Sequence, residues 1–201
     1  MKTLLTFFAV MAISTAAIAA DTDFNKTGIK LSADSKTFGV ALTTGSSTVD
    51  TSDEAQVLDF HLNNLPVTLG VSVIDEGDVR DLTFYVSKTL EMSAGTNGTA
   101  YVTPVLSTTD GDSYTDRELR FSPAAGYSHR LGMVTVFGEA QVHFTSNEND
   151  YAEFNRAETA SIVGVSMPVQ GAELSVSIVD DRDADFNRTD REAQIGMAFK
   201  F

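Results

Sequence analysis

The 201-residue chain has no cysteine and no tryptophan, four prolines and three histidines, and 14 Lys+Arg against 28 Asp+Glu. Without cysteine no disulfide can staple the fold, and a thiolate metal centre or cysteine nucleophile is excluded. Three histidines without cysteine argue against a zinc site. The formal net charge of −14 argues against nucleic acid as a partner, because little here would neutralise phosphates. Beyond the N-terminus no apolar run is long enough for a membrane-spanning helix. The 3.6-residue periodicity of amphipathic helices is missing as well. If this chain meets a membrane, it must do so with strands.

What is present starts with MKTLLTFFAVMAISTAAIAA (1–20). One early charge, Lys2, precedes a short apolar run and then small residues, and Ala17-Ile18-Ala19 fits a small-x-small cleavage site. This predicts a secretory signal peptide rather than an anchor. The rest alternates between period-two segments of 8–13 residues and connections rich in Gly, Asp, Asn, Ser and Pro. Strands are expected at 36–43, 55–62, 67–74, 81–92, 99–107, 117–127, 133–145, 157–167, 172–179 and 192–201. One face of each is apolar, as in Leu58, Phe60 and Leu62; the other is polar or small, as in Asp59 and His61. A soluble sandwich alternates too, so alternation does not say which face is inside.

The connections say more. Short turns at 63–66, 93–98, 128–132 and 168–171 carry a single Lys or Arg, Arg130, and no acid. The connections at 44–54, 75–80, 108–116, 146–156 and 180–191 are all acidic. A molecule with one tight neutral end and one charged end has the layout of an outer-membrane barrel. An even strand number returns both termini to the turn side, and ten satisfies this. The stretch TGIKLSAD (27–34) also reads as a strand, which would make the count odd. It is assigned to an N-terminal periplasmic arm (21–35) or to the start of the first strand, with 36–201 as the barrel. Lys88 falls on an apolar face and is placed near the rim, where its stem can snorkel.

The last ten residues, EAQIGMAFKF (192–201), alternate apolar and polar and close on Phe201. They resemble the C-terminal signature of bacterial outer-membrane β-barrel proteins. With the leader and the lack of cysteine, the chain is similar to the small OmpA-type and porin-like barrels; its size and the turn LNNLPV (62–67) also resemble YfaZ-like proteins. The resemblance implies an all-β, closed, antiparallel transmembrane β-barrel, ten strands with eight as the alternative. It further implies the outer membrane of a Gram-negative cell, outer-membrane lipids and lipopolysaccharide as surroundings, and Phe199 and Phe201 as the signal read by the barrel-assembly machinery. On this reading Ile195, Met197 and Phe199 meet lipid.

Candidate site residues follow from the polar faces. Asp59, Glu118, Arg120, Glu139, Gln141, Glu173, Gln194 and Lys200 are expected to line the lumen, with Arg120 almost opposite Glu139 as a mid-height ion pair. Such side chains either plug a small barrel or make a narrow cation-favouring pore. In DRDADFNRTDRE (181–192), Asp181, Asp183, Asp185 and Glu192 have the oxygen spacing of a calcium loop. Phe186 stands where that loop needs glycine, and no helices flank it. Segments AEFNRAE (152–158) and ADFNRTD (184–190) repeat one another, placing Phe154 and Phe186 at equivalent corners. HFTSN (143–147) with Glu158 resembles the His-Ser-Glu arrangement of outer-membrane lipid A deacylases. His143 and Ser146, however, lie three apart along a strand and so point to opposite faces. The expectation is therefore no enzyme and no cofactor: a porin-like passive pore. The alternative is a closed structural or adhesion barrel acting through acidic loops, with divalent cations as partners. A lipid-modifying hydrolase is a distant third.

Overall fold

A computed structural model describes residues 26–47, 54–63, 65–76, 79–111, 118–147 and 155–200. The expected leader (1–20), Phe154 and Phe201 lie outside the described residues. The described residues form fourteen strands and no helix: β1 (Lys26–Asp34), β2 (Phe38–Ser47), β3 (Glu54–Leu62), β4 (Thr68–Glu76), β5 (Val79–Ser87), β6 (Leu90–Ser93), β7 (Gly98–Thr103), β8 (Val105–Gly111), β9 (Glu118–Phe121), β10 (Ala124–Leu131), β11 (Val134–Asn147), β12 (Asn155–Val169), β13 (Ala172–Asp183) and β14 (Arg188–Lys200). Eleven of them, β11–β14, β1–β5, β8 and β9, pair in a closed ring. The remaining β6, β7 and β10 extend one side of its wall.

The three extra strands continue ring strands in unchanged register. Ser87 faces Val105 and Leu90 faces Val102, so β6 prolongs β5 and β7 prolongs β8. Leu106 faces Phe121 and Thr103 faces Ala124, so β10 prolongs β9. All three interruptions fall in one row, at Lys88–Thr89, Pro104 and Ser122–Pro123. In that register Pro104 stands opposite Pro123, and proline has no N–H to give the ladder. Neighbours bridge the gap: Lys88 N–H donates to Pro104 O (3.3 Å), Ser122 N–H to Val105 O (2.7 Å) and Val142 N–H to Pro123 O (3.1 Å). Ser87 pairs with Thr68, the first residue of β4, so Lys88 lies just past the end of that shorter neighbour.

The expected ten-stranded, wholly antiparallel barrel is corrected to eleven strands with mixed pairing. Segment 27–34 supplies the extra strand: as β1 it pairs antiparallel with β2 and parallel with β14. An odd count makes the first and last strands run the same way, so closure has to be parallel. Lys26 is level with Glu192 and Asp34 with Lys200. The chain thus enters the barrel at the loop end and leaves it at the turn end, contrary to the expected return of both termini to the turn side.

Turn chemistry fixes the hairpins. Gln170 (φ 47°) and Gly171 (φ 86°) form a two-residue turn with both central residues at positive φ, which suits the twist of the flanking strands. Gly132 (φ 67°) opens another, between Leu131 and Val134. That second turn lies nearer the C-terminus than the expected 128–132. The strands also run further into the acidic connections than expected, so the hairpin at 180–191 narrows to residues 184–187.

The two faces are those of an inside-out protein. Every strand exposes at least one large apolar side chain, from Ile29 on β1 through Phe84 on β5 and Val163 on β12 (63 %) to Phe199 on β14. Among the described residues only Ala124, Ala193, Ile195 and Met197 are buried apolar groups, while Asp81, Ser122, Ser146, Ser166 and Ser177 are buried polar ones. A water-soluble fold distributes these the other way. The expectation for β14 needs a correction: Ile195 and Met197 share the face of Phe199 but are only 4 and 7 % exposed. They lie between Ile29 and Leu31 of β1 on one side and Val176 and Leu174 of β13 on the other.

Candidate functional site: two halves of a polar lumen

Inward-facing side chains are packed on one side of the barrel and leave a cavity on the other. The packed side centres on Asp59 of β3. Its carboxylate accepts from Ser72 Oγ on β4 (2.7 Å) and Tyr85 OH on β5 (3.0 Å), and it contacts His61 Nδ1 (2.8 Å). His61 Nε2 reaches Asp34 on β1 at 2.9 Å. Two of these links jump over an intervening strand, and both do so across a glycine. The His61–Asp34 contact passes over Gly39 of β2, and the Tyr85 ring lies over Gly70 of β4; a Cβ at either position would collide with those side chains.

The same device recurs around the wall. Gly126 of β10 stands opposite Tyr101 on one side and Glu139 on the other. The Tyr101 ring covers that glycine and its hydroxyl hydrogen-bonds Glu139. Phe137 of β11 covers Gly164 of β12. A glycine in a strand marks a place where another group approaches the backbone closely, and here the group is an inward-facing ring.

On the open side a cavity of about 420 Å³ extends from Tyr101 and Ser128, across Phe137 and Ile162, to Gln194, Lys200 and Lys30. Glu173 projects into it from β13, accepting from Ser166 Oγ (2.6 Å) and pairing with Lys200 Nζ (3.4 Å).

The expected lumen residues are distributed over both sides. Asp59 is the hub of the packed half, and Glu173, Gln194 and Lys200 line the cavity together. Glu139 joins Tyr101, and Gln141 Nε2 donates to Ser122 O (3.5 Å). Glu118 opens β9 at the loop end. The expected Arg120–Glu139 pair is not formed: Arg120 stands opposite Thr145 and Glu139 opposite Gly126. The cause is the hairpin turn at Gly132–Met133, which shifts the pairing by five residues from the expected register. Arg120 Nη1 lies 3.7 Å from Glu158 instead.

The calcium-loop spacing at 181–192 is not assembled as a ligand cage. Asp183 is occupied by its own turn, its Oδ1 accepting from the N–H groups of Asp185 and Asn187 (2.9 Å each). Asp181 and Glu192 belong to paired strands, opposite Asp190 and Val179. Among the described residues no group of three or more His, Cys, Asp or Glu is arranged to hold a metal. Phe199 lies exposed on the outer face, opposite Ala172.

Some partners were not visible in the sequence. His143 Nδ1 meets Ser122 Oγ at 2.8 Å, from two strands away in sequence order, with Glu158 of β12 opposite His143. Ser122 is only 3 % exposed, and the contact ties the end of β9 to β11. Asp34, His61, Tyr85, Tyr101 and Lys30 were likewise missed as site residues. Isolated glycines within strands, Gly39, Gly70 and Gly126, were the available signal for four of them.

Comparison with protein-family models, with curated proteins and with solved structures finds no match. The functional reading therefore rests on the geometry of the barrel.

Proposed function

We propose that the chain is a porin-like barrel of a bacterial outer membrane, embedded by its apolar exterior, with a narrow passage along the open half of its lumen. The observation that carries this reading is the inversion of the faces: large apolar side chains are exposed on all fourteen strands, while carboxylates, hydroxyls and lysines point inward. In water such an exterior would aggregate; in a bilayer it is matched to lipid, and each of the eleven ring strands has a hydrogen-bonded partner on both sides. The cation preference follows from inward charge. The carboxylates of Asp34, Asp59, Asp81, Glu139, Glu158 and Glu173 outnumber Lys30, Arg120 and Lys200.

The purified protein should run at different positions on a gel before and after boiling, as a detergent-resistant barrel does. In planar bilayers it should give small steps with cation-biased reversal potentials, and the bias should shrink when Glu139→Gln and Glu158→Gln are combined. A protein that remains in buffer without detergent would overturn the membrane reading. A folded, membrane-inserted protein without steps would favour a closed structural barrel, which the side-chain-filled half of the lumen supports.

A further inference from the structure

The open-half cavity has a chemistry of its own that passage does not explain. Although most inward charge is negative, this cavity is lined by two lysines and one carboxylate. Glu173 is already satisfied by Ser166 and Lys200. The one carboxylate of β1, Asp34, is held by His61. Lys30 is left over: among the described residues its ammonium group has no ion-pair or hydrogen-bond partner. Ser128, Ser175 and Gln194 line the same cavity, as do Tyr101 and Phe137; the Gln194 amide nitrogen donates to Glu192 (3.3 Å) and its oxygen can still accept. The volume of about 420 Å³ is that of a small-molecule site.

We propose that this cavity binds a small hydroxylated carboxylate, with Lys30 as the anchor for its carboxyl group and the surrounding hydroxyls and Gln194 for its alcohol groups. The carboxylate gives Lys30 a counter-charge through a charge-assisted hydrogen bond. Hydroxyl groups on the ligand take the place of water on Ser128, Ser175 and Gln194. Anions without hydroxyls gain only the first of these contacts and neutral polyols only the second, so both bind more weakly.

The test is calorimetric titration of the folded full-length protein in detergent with sodium gluconate, and with sorbitol as the uncharged counterpart. Saturable binding of gluconate, absence of saturation with sorbitol, and a loss of roughly tenfold or more in Lys30→Gln with no change in Lys88→Gln are the expected results. Lys88 lies on the outer face and serves as the charge control. Each variant is first shown to fold by its boiling-dependent gel mobility. The proposal is overturned if folded wild-type protein gives no saturable gluconate binding, if Lys30→Gln binds as well as wild type, or if sorbitol binds equally. Binding in detergent does not depend on conductance. A protein that binds gluconate but gives no steps keeps this site and loses the pore, and the reverse result does the opposite.

Discussion

The two halves of the lumen are built from different strands, β1–β5 around Asp59 and β10–β14 with β1 and β7 around the cavity, and only the first is closed. In the packed half a network ties polar groups together: Asp59 holds Ser72, Tyr85 and His61, and His61 holds Asp34. In the open half Glu173 is satisfied locally, at Ser166 and Lys200, and Lys30 projects freely. The difference comes down to which side chains reach across a strand glycine. Over Gly39 and Gly70 a ring does so and meets a carboxylate two strands away. Gly196 stands in the same way between Lys30 and Ser175, but among the described residues Lys30 makes no hydrogen bond or ion pair across it, and the space there stays open. The bore is thus set by what bridges the strand glycines as well as by strand number.

If the packed half is a connected network, breaking its hub should cost most. Asp59→Ala leaves the His61 ring, the Ser72 hydroxyl and the Tyr85 hydroxyl without their shared acceptor, in a site where all are part-buried. The expected loss is about 3 kcal/mol or more, read as a shift of the urea unfolding midpoint in lipid vesicles; a shift below a third of that would show the three contacts to be independent and weak. Next in size is Gly70→Ala, whose methyl group would occupy the space of the Tyr85 ring. It should cost about 1–3 kcal/mol, and most of that cost should vanish in a Tyr85→Ala background, where the ring is gone. Gly45→Ala, with nothing within 4 Å of the added methyl group, should be neutral. Gly196→Ala in the open half meets only the Ser175 hydroxyl closely, which can rotate away, so about 0.5 kcal/mol or less is expected.

Much of this barrel was legible in the chain. Each of the ten expected strands overlaps an observed one, because period-two alternation survives in any strand with one polar and one apolar face. The eleventh is visible as TGIKLSAD, but an even count leaves it no place in the ring. Register was less legible. A turn at 128–132 would bring Arg120 almost opposite Glu139, but the pairing is fixed by the two residues Gly132–Met133. Among the site residues, Asp59, Glu173, Gln194 and Lys200 could be assigned to one face from alternation alone. Their partners could not, since Tyr85 reaches Asp59 and His61 reaches Asp34 across a strand. Such contacts depend on how the ring closes, which no local pattern encodes. The calcium spacing at 181–192 meets a related limit: spacing in sequence gives a ligand cage most readily when the segment is a loop, and strands β13 and β14 extend through most of it.

The smallest expected effect separates the halves most cleanly. Glu173→Gln keeps an oxygen to accept the Ser166 hydroxyl and removes only the charge seen by Lys200 at 3.4 Å. That pair is well exposed, with 73 % of the Lys200 side chain and 42 % of the Glu173 side chain open to solvent. Exposed pairs of this kind contribute about 0.5 kcal/mol or less, and salt screens them. The urea midpoint of Glu173→Gln should therefore stay within that margin of wild type, at low and high salt alike. Asp59→Asn, which makes the same chemical change in the packed half, leaves an amide donor facing the hydrogen-bond donors of Ser72 and Tyr85 and should cost measurably more. Equal losses from the two substitutions would mean that the open half is braced as tightly as the packed half, and the contrast between them would fail.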